Sequence, residues 1–309
     1  MAEFIKASEA ARRWGVTPRT VRLWCSEGKI AGATRRGNLY LVPEDATMPP
    51  DGRRAWTRSA PAGQASLFAL VDTLCARLDA ARPLTAGEAE RLRDEFLIDF
   101  AYNSNAIEGN TLTLRETALA LQGITIDQKP LRDHLEAIGQ RDAFAFVESI
   151  VGDGQALSAH DIRSIHALVL ADRPEDRGSF RTIPVTIMGA FAEPTAPHLI
   201  EEEVAGLLRR DVGRAKAMHP IERVARFHLE FEGIHPFIDG NGRTGRLLMN
   251  LQLMRAGLLP VNVKYADRRR YYDAFDSFYR DGDAAPMIEI VGRYEAERMK
   301  EVISLLEPR

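Results

Sequence analysis

Twelve residues, His235 to Arg246 (His-Pro-Phe-Ile-Asp-Gly-Asn-Gly-Arg-Thr-Gly-Arg), constrain this chain more than any other stretch. They gather an imidazole, a carboxylate, an amide, three glycines and two guanidiniums, a density of polar and flexible residues that no core requires. An apolar run follows, Leu247 to Met249 and Leu251 to Met254, and Gly257 and Pro260 end it. The spacing predicts a helix starting near Gly242 with glycine just past its end. A glycine-rich loop feeding a helix N-terminus points several backbone N–H groups and the positive end of the dipole at one place. That is an anion site, and phosphate is the usual anion.

The rest of the chain is large enough to build a scaffold around this junction. Its 309 residues, 45% of them hydrophobic, can bury a substantial core and suggest two domains. The net charge of −3 hides an asymmetry, since residues 1–46 hold eight Lys/Arg against five acids while the remainder is acidic. A basic head on an acidic body suggests separate tasks, with a polyanion as the partner of the head. Two cysteines, Cys25 and Cys75, are too few for a disulfide framework or a zinc site. No leader-like h-region opens the chain and no apolar run is long enough to span a bilayer, so the expectation is a soluble, cytoplasmic protein.

In chain order, Ser8 is placed to cap a helix over Glu9 to Trp14, and Thr17 to cap a second that begins with Pro18 and stops at Gly28. Lys29 to Val42 reads as a hairpin with Arg35-Arg36-Gly37-Asn38 at its turn. Helix, tight turn, helix and basic hairpin is the order of a winged helix-turn-helix. Arg19, Thr20 and Arg22 are expected to face outward from the second helix, with Arg35 and Arg36 at the tip of the wing. This head resembles the small MerR/excisionase-type DNA-binding modules. The resemblance implies DNA as a partner, and a homodimer wherever one module buries too little DNA for specificity. An accessory helical domain with solvated arginines satisfies the same pattern.

Residues 47–63, rich in Pro, Gly and Ser, read as a linker, leaving 64–309 as the second domain. The fold class expected there is mainly α. Thr85 with Glu88 and Thr113 with Glu116 form capping boxes, and amphipathic stretches run over 131–151, 158–171, 199–212 and 220–232. Two more helices follow the one after the glycine loop. The clearest β signal is Phe180 to Met188, a hairpin in which Ile183, Val185 and Ile187 alternate with Thr182, Pro184, Thr186 and Met188. Among helices such a hairpin has no sheet to join, so its edge is available to another chain.

Several nucleotide motifs fail at His235–Arg246 on context. Gly240, Gly242 and Gly245 match the dinucleotide fingerprint, and Asp267 is an acid at the right remove. The preceding segment nevertheless has helical rather than strand periodicity. No Gly-Lys-Ser/Thr follows for a phosphate-binding loop of the Walker type. Arg243 occupies what would be a calcium ligand position. The stretch instead resembles the signature of the Fic (filamentation induced by cAMP) family, His-Pro-Phe-x-[Asp/Glu]-Gly-Asn-Gly-Arg-x-x-Arg, at every defined position.

That resemblance covers roughly residues 64–309 and implies a helical bundle with a β-hairpin flap. It also implies transfer of AMP from ATP to a Ser, Thr or Tyr hydroxyl of a target protein. In this chemistry positioning and charge stabilisation dominate and one proton must be removed. His235 would be the general base. Asp239 would hold Mg²⁺. Gly240, Asn241 and Gly242 would form the anion hole, while Arg243 and Arg246 would meet the β- and γ-phosphates. Thr182 to Met188 would dock the target by strand addition, and Tyr272 matches an adenosine-contacting position, though a core aromatic fits it equally. His228 reads as a core histidine. The residues that read the base are not evident, so UTP, GTP and CTP fit the pattern too.

Upstream, Ser104-Asn105-Ala106-Ile107-Glu108-Gly109 matches the family's inhibitory pattern, [Ser/Thr]-x-x-x-Glu-[Gly/Asn], at the end of a helix before the core. The resemblance implies that Glu108 pairs with Arg246 and takes the guanidinium meant for the γ-phosphate. In some such members the same glutamate also serves removal of AMP. A second class of function fits the whole chain: a DNA-binding transcriptional regulator whose second domain senses nucleotide.

Overall fold

The computed structural model describes residues 4–14, 18–26, 28–36, 39–49, 62–152, 155–186 and 193–307. The head comprises β1 (Phe4–Lys6), α1 (Ala7–Trp14), α2 (Pro18–Ser26), β2 (Thr34–Arg36) and β3 (Leu39–Pro43). Its strands form one antiparallel sheet in the order β1-β3-β2, with Arg35 opposite Tyr40. Ala7, Ala10, Ala11, Val21, Trp24, Ile30 and Val42 make a small core drawn from the head alone. Two local expectations change. Ser8 lies inside α1 rather than capping it, and β1 appears where no strand was expected. At three residues β1 is too short to show alternation, and pairing with β3 defines it.

The body is a helical assembly of α3 (Ala62–Ala80), α4 (Ala86–Ile107), α5 (Leu114–Leu121), α6 (Leu131–Ile150), α7 (Ala159–Val169), α8 (Ile200–Arg214), α9 (Pro220–Ile234), α10 (Asn241–Arg255), α11 (Arg268–Asp281) and α12 (Ala285–Leu306). Both capping boxes form, with Thr85 and Glu88 at the start of α4 and Thr113 and Glu116 at the start of α5. Ser158 with Asp161 adds a third at α7. No described helix is long and apolar enough to cross a membrane.

Helix α10 is the hub. Leu247, Leu248 and Leu251 enter one core, with Phe100, Phe144, Phe231 and Phe237. Met249 and Leu253 enter the other, with Leu229, Tyr271 and Met287. A helix buried on every side in this way sits at the centre of a bundle. Burying those five side chains contributes on the order of 10 kcal/mol. The N-terminus of α10, with the glycine loop that feeds it, is therefore fixed by packing from two directions.

The expected hairpin at Phe180–Met188 is not a hairpin among the described residues. Residues 180–186 carry no strand pairing, and Ile187 and Met188 lie outside the described set. Alternating β-branched residues favour an extended chain, but a strand requires a partner ladder, and none pairs with 180–186 among the described residues. Ile183 is accordingly exposed.

Candidate active site

His235 ends α9 in the left-handed conformation (φ 51°, ψ 58°), one of two described non-glycine residues with positive φ. Holding a side chain there costs about 1–3 kcal/mol and needs support from its surroundings. Arg181 supplies it. The Arg181 backbone N–H donates to Pro236 O (3.0 Å), and its guanidinium donates to His235 O (2.8 Å), Ile183 O (3.0 Å) and Ile234 O (3.4 Å). This one buried arginine ties the extended segment to the turn that presents the imidazole. Burial pushes His235 down to about 4, against the raising effect of the Glu232 backbone carbonyl, so the ring is neutral at physiological pH and keeps a lone pair to accept a proton.

The loop after His235 is closed by its own side chains. Asn241 Oδ1 accepts from Phe237 N (2.9 Å) and its Nδ2 donates to Phe237 O (2.8 Å). Both amide atoms are thus spent on shaping the turn. Of the groups expected to form an anion hole, the Asn241 amide is turned to Phe237 and the Gly240 N–H to Asp239 Oδ1. Gly240 takes φ +77° at the N-cap of α10, where a side chain would be strained. His166 buttresses the same loop. Its Nε2 donates to Asp239 O (3.0 Å), its Nδ1 accepts from Gly178 N (3.0 Å), and its ring stacks on Phe237 with centroids 3.6 Å apart.

Asp239 projects from this turn with about a third of its side chain exposed. It accepts from Gly240 N (2.6 Å) and faces Arg243 (3.3 Å), Arg173 (3.2 Å) and Arg132 (3.6 Å). Burial works to raise its pKa, but Arg243, the Gly240 N–H, Arg132 and Arg173 outweigh that and hold the carboxyl below its usual value. No group of three or more potential metal-ligating side chains occurs among the described residues. A lone anionic oxygen donor nevertheless suits a hard cation that takes its other ligands from phosphate and water.

Arg243 and Arg246 share the first turn of α10 and are both 1% exposed. Arg243 points to Glu136 of α6 (3.2 Å) and back to Asp239. Arg246 points to the last turn of α4. Its Nε donates to Ser104 Oγ (3.0 Å), and its Nη2 donates to Ser104 O (2.7 Å) and to Glu108 Oε1 (2.8 Å). Burial opposes the Arg246 charge, but Glu108 and Tyr271 together raise its pKa. Glu108 caps α4, and Gly109 follows with φ +96°. A Cβ built on Gly242 would collide with Glu108 Oε1, so this glycine makes room for the ion pair. Tyr272 is 45% exposed, and its hydroxyl donates to Ile107 O (3.3 Å) beside that turn. The core aromatic is its neighbour Tyr271, which takes His228 as a hydrogen-bonded core partner.

In the head, Arg22 is exposed, and the Arg35 guanidinium lies 5.6 Å from the Tyr40 ring. The side chains of Arg19, Thr20 and Arg36 lie outside the described residues. Within the body the structure brings together His235, Asp239, Gly240, Asn241, Gly242, Arg243, Arg246, Ser104 and Glu108, with Tyr272 at the edge. Sequence reasoning missed Arg181, His166 and Glu136. None stands in a recognisable spacing, and only the fold joins them to the loop.

Comparison with known proteins agrees with this geometry. Residues 156–253 match the profile of the Fic/DOC family, a span that includes Thr182–Met188 and His235–Arg246 and stops short of Glu108 and the head. The chain is 36% identical over 211 residues to the protein adenylyltransferase Fic of Nematostella vectensis, covering 66% of this chain and 48% of that protein. It is 32% identical over 222 residues to the protein adenylyltransferase fic-1 of Caenorhabditis elegans, covering 70% of this chain and 43% of that one. The chain thus spans less than half the length of these relatives. Among solved structures, a Glu-to-Gly variant of a Fic-1 fragment from C. elegans superposes with a TM-score of 0.68 at 31% identity, over 79% of this chain and 72% of that one. A Fic domain containing signaling protein from Bacteroides thetaiotaomicron shares the fold at a TM-score of 0.70 and 24% identity, over 76% of this chain and 97% of that one.

Proposed function

This chain carries a domain of the Fic/DOC family, and from that premise we propose that it is a protein adenylyltransferase held off at rest by its own Glu108. It transfers AMP from ATP to a Ser, Thr or Tyr hydroxyl of a target protein. The observation that carries the proposal is the pair of fully buried arginines on the first turn of α10, beside a neutral histidine and an ionised aspartate. A polyphosphate laid along that turn has Arg243 at one end and Arg246 at the other. His235 takes the proton of the incoming hydroxyl, which then attacks the α-phosphorus as pyrophosphate leaves. Asp239 would hold Mg²⁺, which supplies charge neutralisation at the phosphates when bound.

Autoinhibition follows from competition. While Ser104 and Glu108 hold Arg246, the γ-phosphate has no guanidinium to meet and the α-phosphorus is not aligned. A charge-assisted contact of about 1.5–3 kcal/mol is enough to keep most of the population off. The segment from Thr182, pinned by Arg181 and without strand pairing over the described residues 182–186, is the candidate dock for the target's backbone. The test is label transfer from α-labelled ATP. Glu108→Gly should raise self-labelling and target labelling, and adding His235→Ala should abolish both. No label in either Glu108 form would refute the assignment.

For the head we propose DNA binding. Its support is the surplus of basic residues, the strand–helix–helix–hairpin order and the exposed Arg22. A salt-dependent mobility shift of duplex DNA by the full chain, weakened by Arg22→Ala with Arg35→Ala, tests it. No shift at low salt would remove it.

A further inference from the structure

Beneath the catalytic turn lie three buried groups that the chemistry above does not use: Glu232 and His228 on α9 and Tyr271 on α11. Glu232 sits one helical turn before His235, with its Oε2 3.9 Å from His235 Nδ1. Its Oε1 is buried without a hydrogen-bond partner among the described residues, and the Nδ1 of His235 and of His228 are buried with only the backbone carbonyls of Glu232 and Gly245 near them, neither in hydrogen-bond geometry. Each such atom costs about 1–3 kcal/mol, and a cluster of them calls for a reason. Glu232 and His228 meet beside Gly245. A Cβ there would collide with Glu232 Oε1 and stand 3.0 Å from His228 Nδ1, so the glycine leaves both side chains room to move. On the far side His228 Nε2 lies 2.5 Å from the Tyr271 hydroxyl, and the Tyr271 ring centroid lies 6.0 Å from the Arg246 guanidinium.

We propose that Glu232 is a positioning residue for His235: its carboxyl group accepts the Nδ1–H, locking the tautomer in which Nε2 is free to take the target's proton. The assignment rests on His235 as the general base. About 1 Å of side-chain rotation closes the 3.9 Å gap to a hydrogen bond. Burial pushes Glu232 up to about 8, with the Glu108 charge adding to the effect and Arg246 opposing it. At neutral pH it is mostly protonated, so its carbonyl oxygen is free to accept from His235, while its Oε1 lies beside His228 at Gly245. Burial also keeps His228 neutral, at about 3, and its Nε2 shares a hydrogen bond with the Tyr271 hydroxyl. A line of buried polar groups thus joins the general base to the arginine that Glu108 holds. The other titratable groups facing Glu232 and His235 are Glu108, Arg246, Arg181, Asp239, Tyr271 and Tyr279.

The test reads the imidazole itself. Nitrogen-15 NMR of the nucleotide-free full chain should find His235 as the Nδ1–H tautomer. Glu232→Met, of similar shape but without an acceptor, should shift the tautomer ratio toward Nε2–H by roughly fivefold or more, while Glu232→Gln should keep the wild-type ratio. In the Glu108→Gly background, Glu232→Met should lower kcat and leave KM for ATP unchanged. A wild-type tautomer ratio in Glu232→Met would mean that the Glu232 backbone carbonyl alone orients the ring, and the proposal would fail. A raised KM at unchanged kcat would also overturn it, since that places Glu232 in nucleotide binding. The spectra need no transfer reaction, so failure here and failure of the adenylyltransferase assignment are separate results.

Discussion

Arg243 and Arg246 leave the same turn of the same helix and are equally buried, yet they are held in opposite ways. Arg243 pairs with Asp239, four residues before it, and with Glu136, which is itself 5% exposed. Arg246 reaches an element 138 positions away in the chain, and its acid partner keeps 35% of its side chain exposed. The pairing of Arg243 with Glu136 is internal to the cradle and sealed, although Asp239 itself keeps 32% of its side chain exposed. That of Arg246 with Glu108 is an edge contact, closed by the last turn of α4 and one capping residue. Two guanidiniums that the sequence makes look equivalent therefore differ in reversibility, and the reversible one is where control can act.

Removing each arginine exposes the difference most strongly. Arg243→Ala takes from the buried Glu136 its one fully buried cation, leaving it Arg132 (2.9 Å) and Asn110 (2.8 Å), and should cost about 1.5–3 kcal/mol in chemical denaturation, whereas Arg246→Ala should cost clearly less because Glu108 can turn to solvent. Equal losses would break the comparison. Acid titration comes next. With His235 depressed to about 4 even with the Glu108 charge raising it, a Glu108→Gly enzyme should hold its rate as pH falls through 6 and lose it no earlier than about pH 4, where the base becomes protonated. An acid limb at the ordinary histidine value of 6.5 would show an exposed ring. Glu108→Gly itself should raise label transfer by roughly ten- to a hundredfold, the worth of one charge-assisted contact. Ser104→Ala removes one hydroxyl acceptor from the same guanidinium while the Ser104 carbonyl and Glu108 still hold it, and should raise transfer only by severalfold, on the order of 1 kcal/mol. The smallest effect belongs to the Arg243 end. Arg173→Ala frees one oxygen of Asp239 from a partly exposed pair, so divalent-cation affinity by calorimetry should rise by no more than about fivefold.

The parts legible in the sequence were those with local causes. Capping boxes announced α4 and α5, and the glycine loop followed by an apolar run announced α10, because caps and periodicity act within a few residues. The extended segment at 180–186 misled, since alternation reports a preference for extended backbone and not the partner that makes a strand. His235 and Arg246 stood in one motif, and Glu108 in another. Arg181, His166, Glu136 and Glu232 became visible only when tertiary packing aimed them at the loop. Asn241 shows a subtler limit: its place in the motif was legible, but its hydrogen bonds to Phe237 turn it to holding shape.

The central claim is that Glu108 and the γ-phosphate compete for Arg246, and the affinity ratio of ATP to ADP tests it most directly. Titration calorimetry on the wild type should find the two nucleotides bound about equally, because the arginine is occupied. Glu108→Gly should prefer ATP by roughly tenfold, and adding Arg246→Ala should erase that preference. A wild type that already prefers ATP as strongly as Glu108→Gly does would contradict the account.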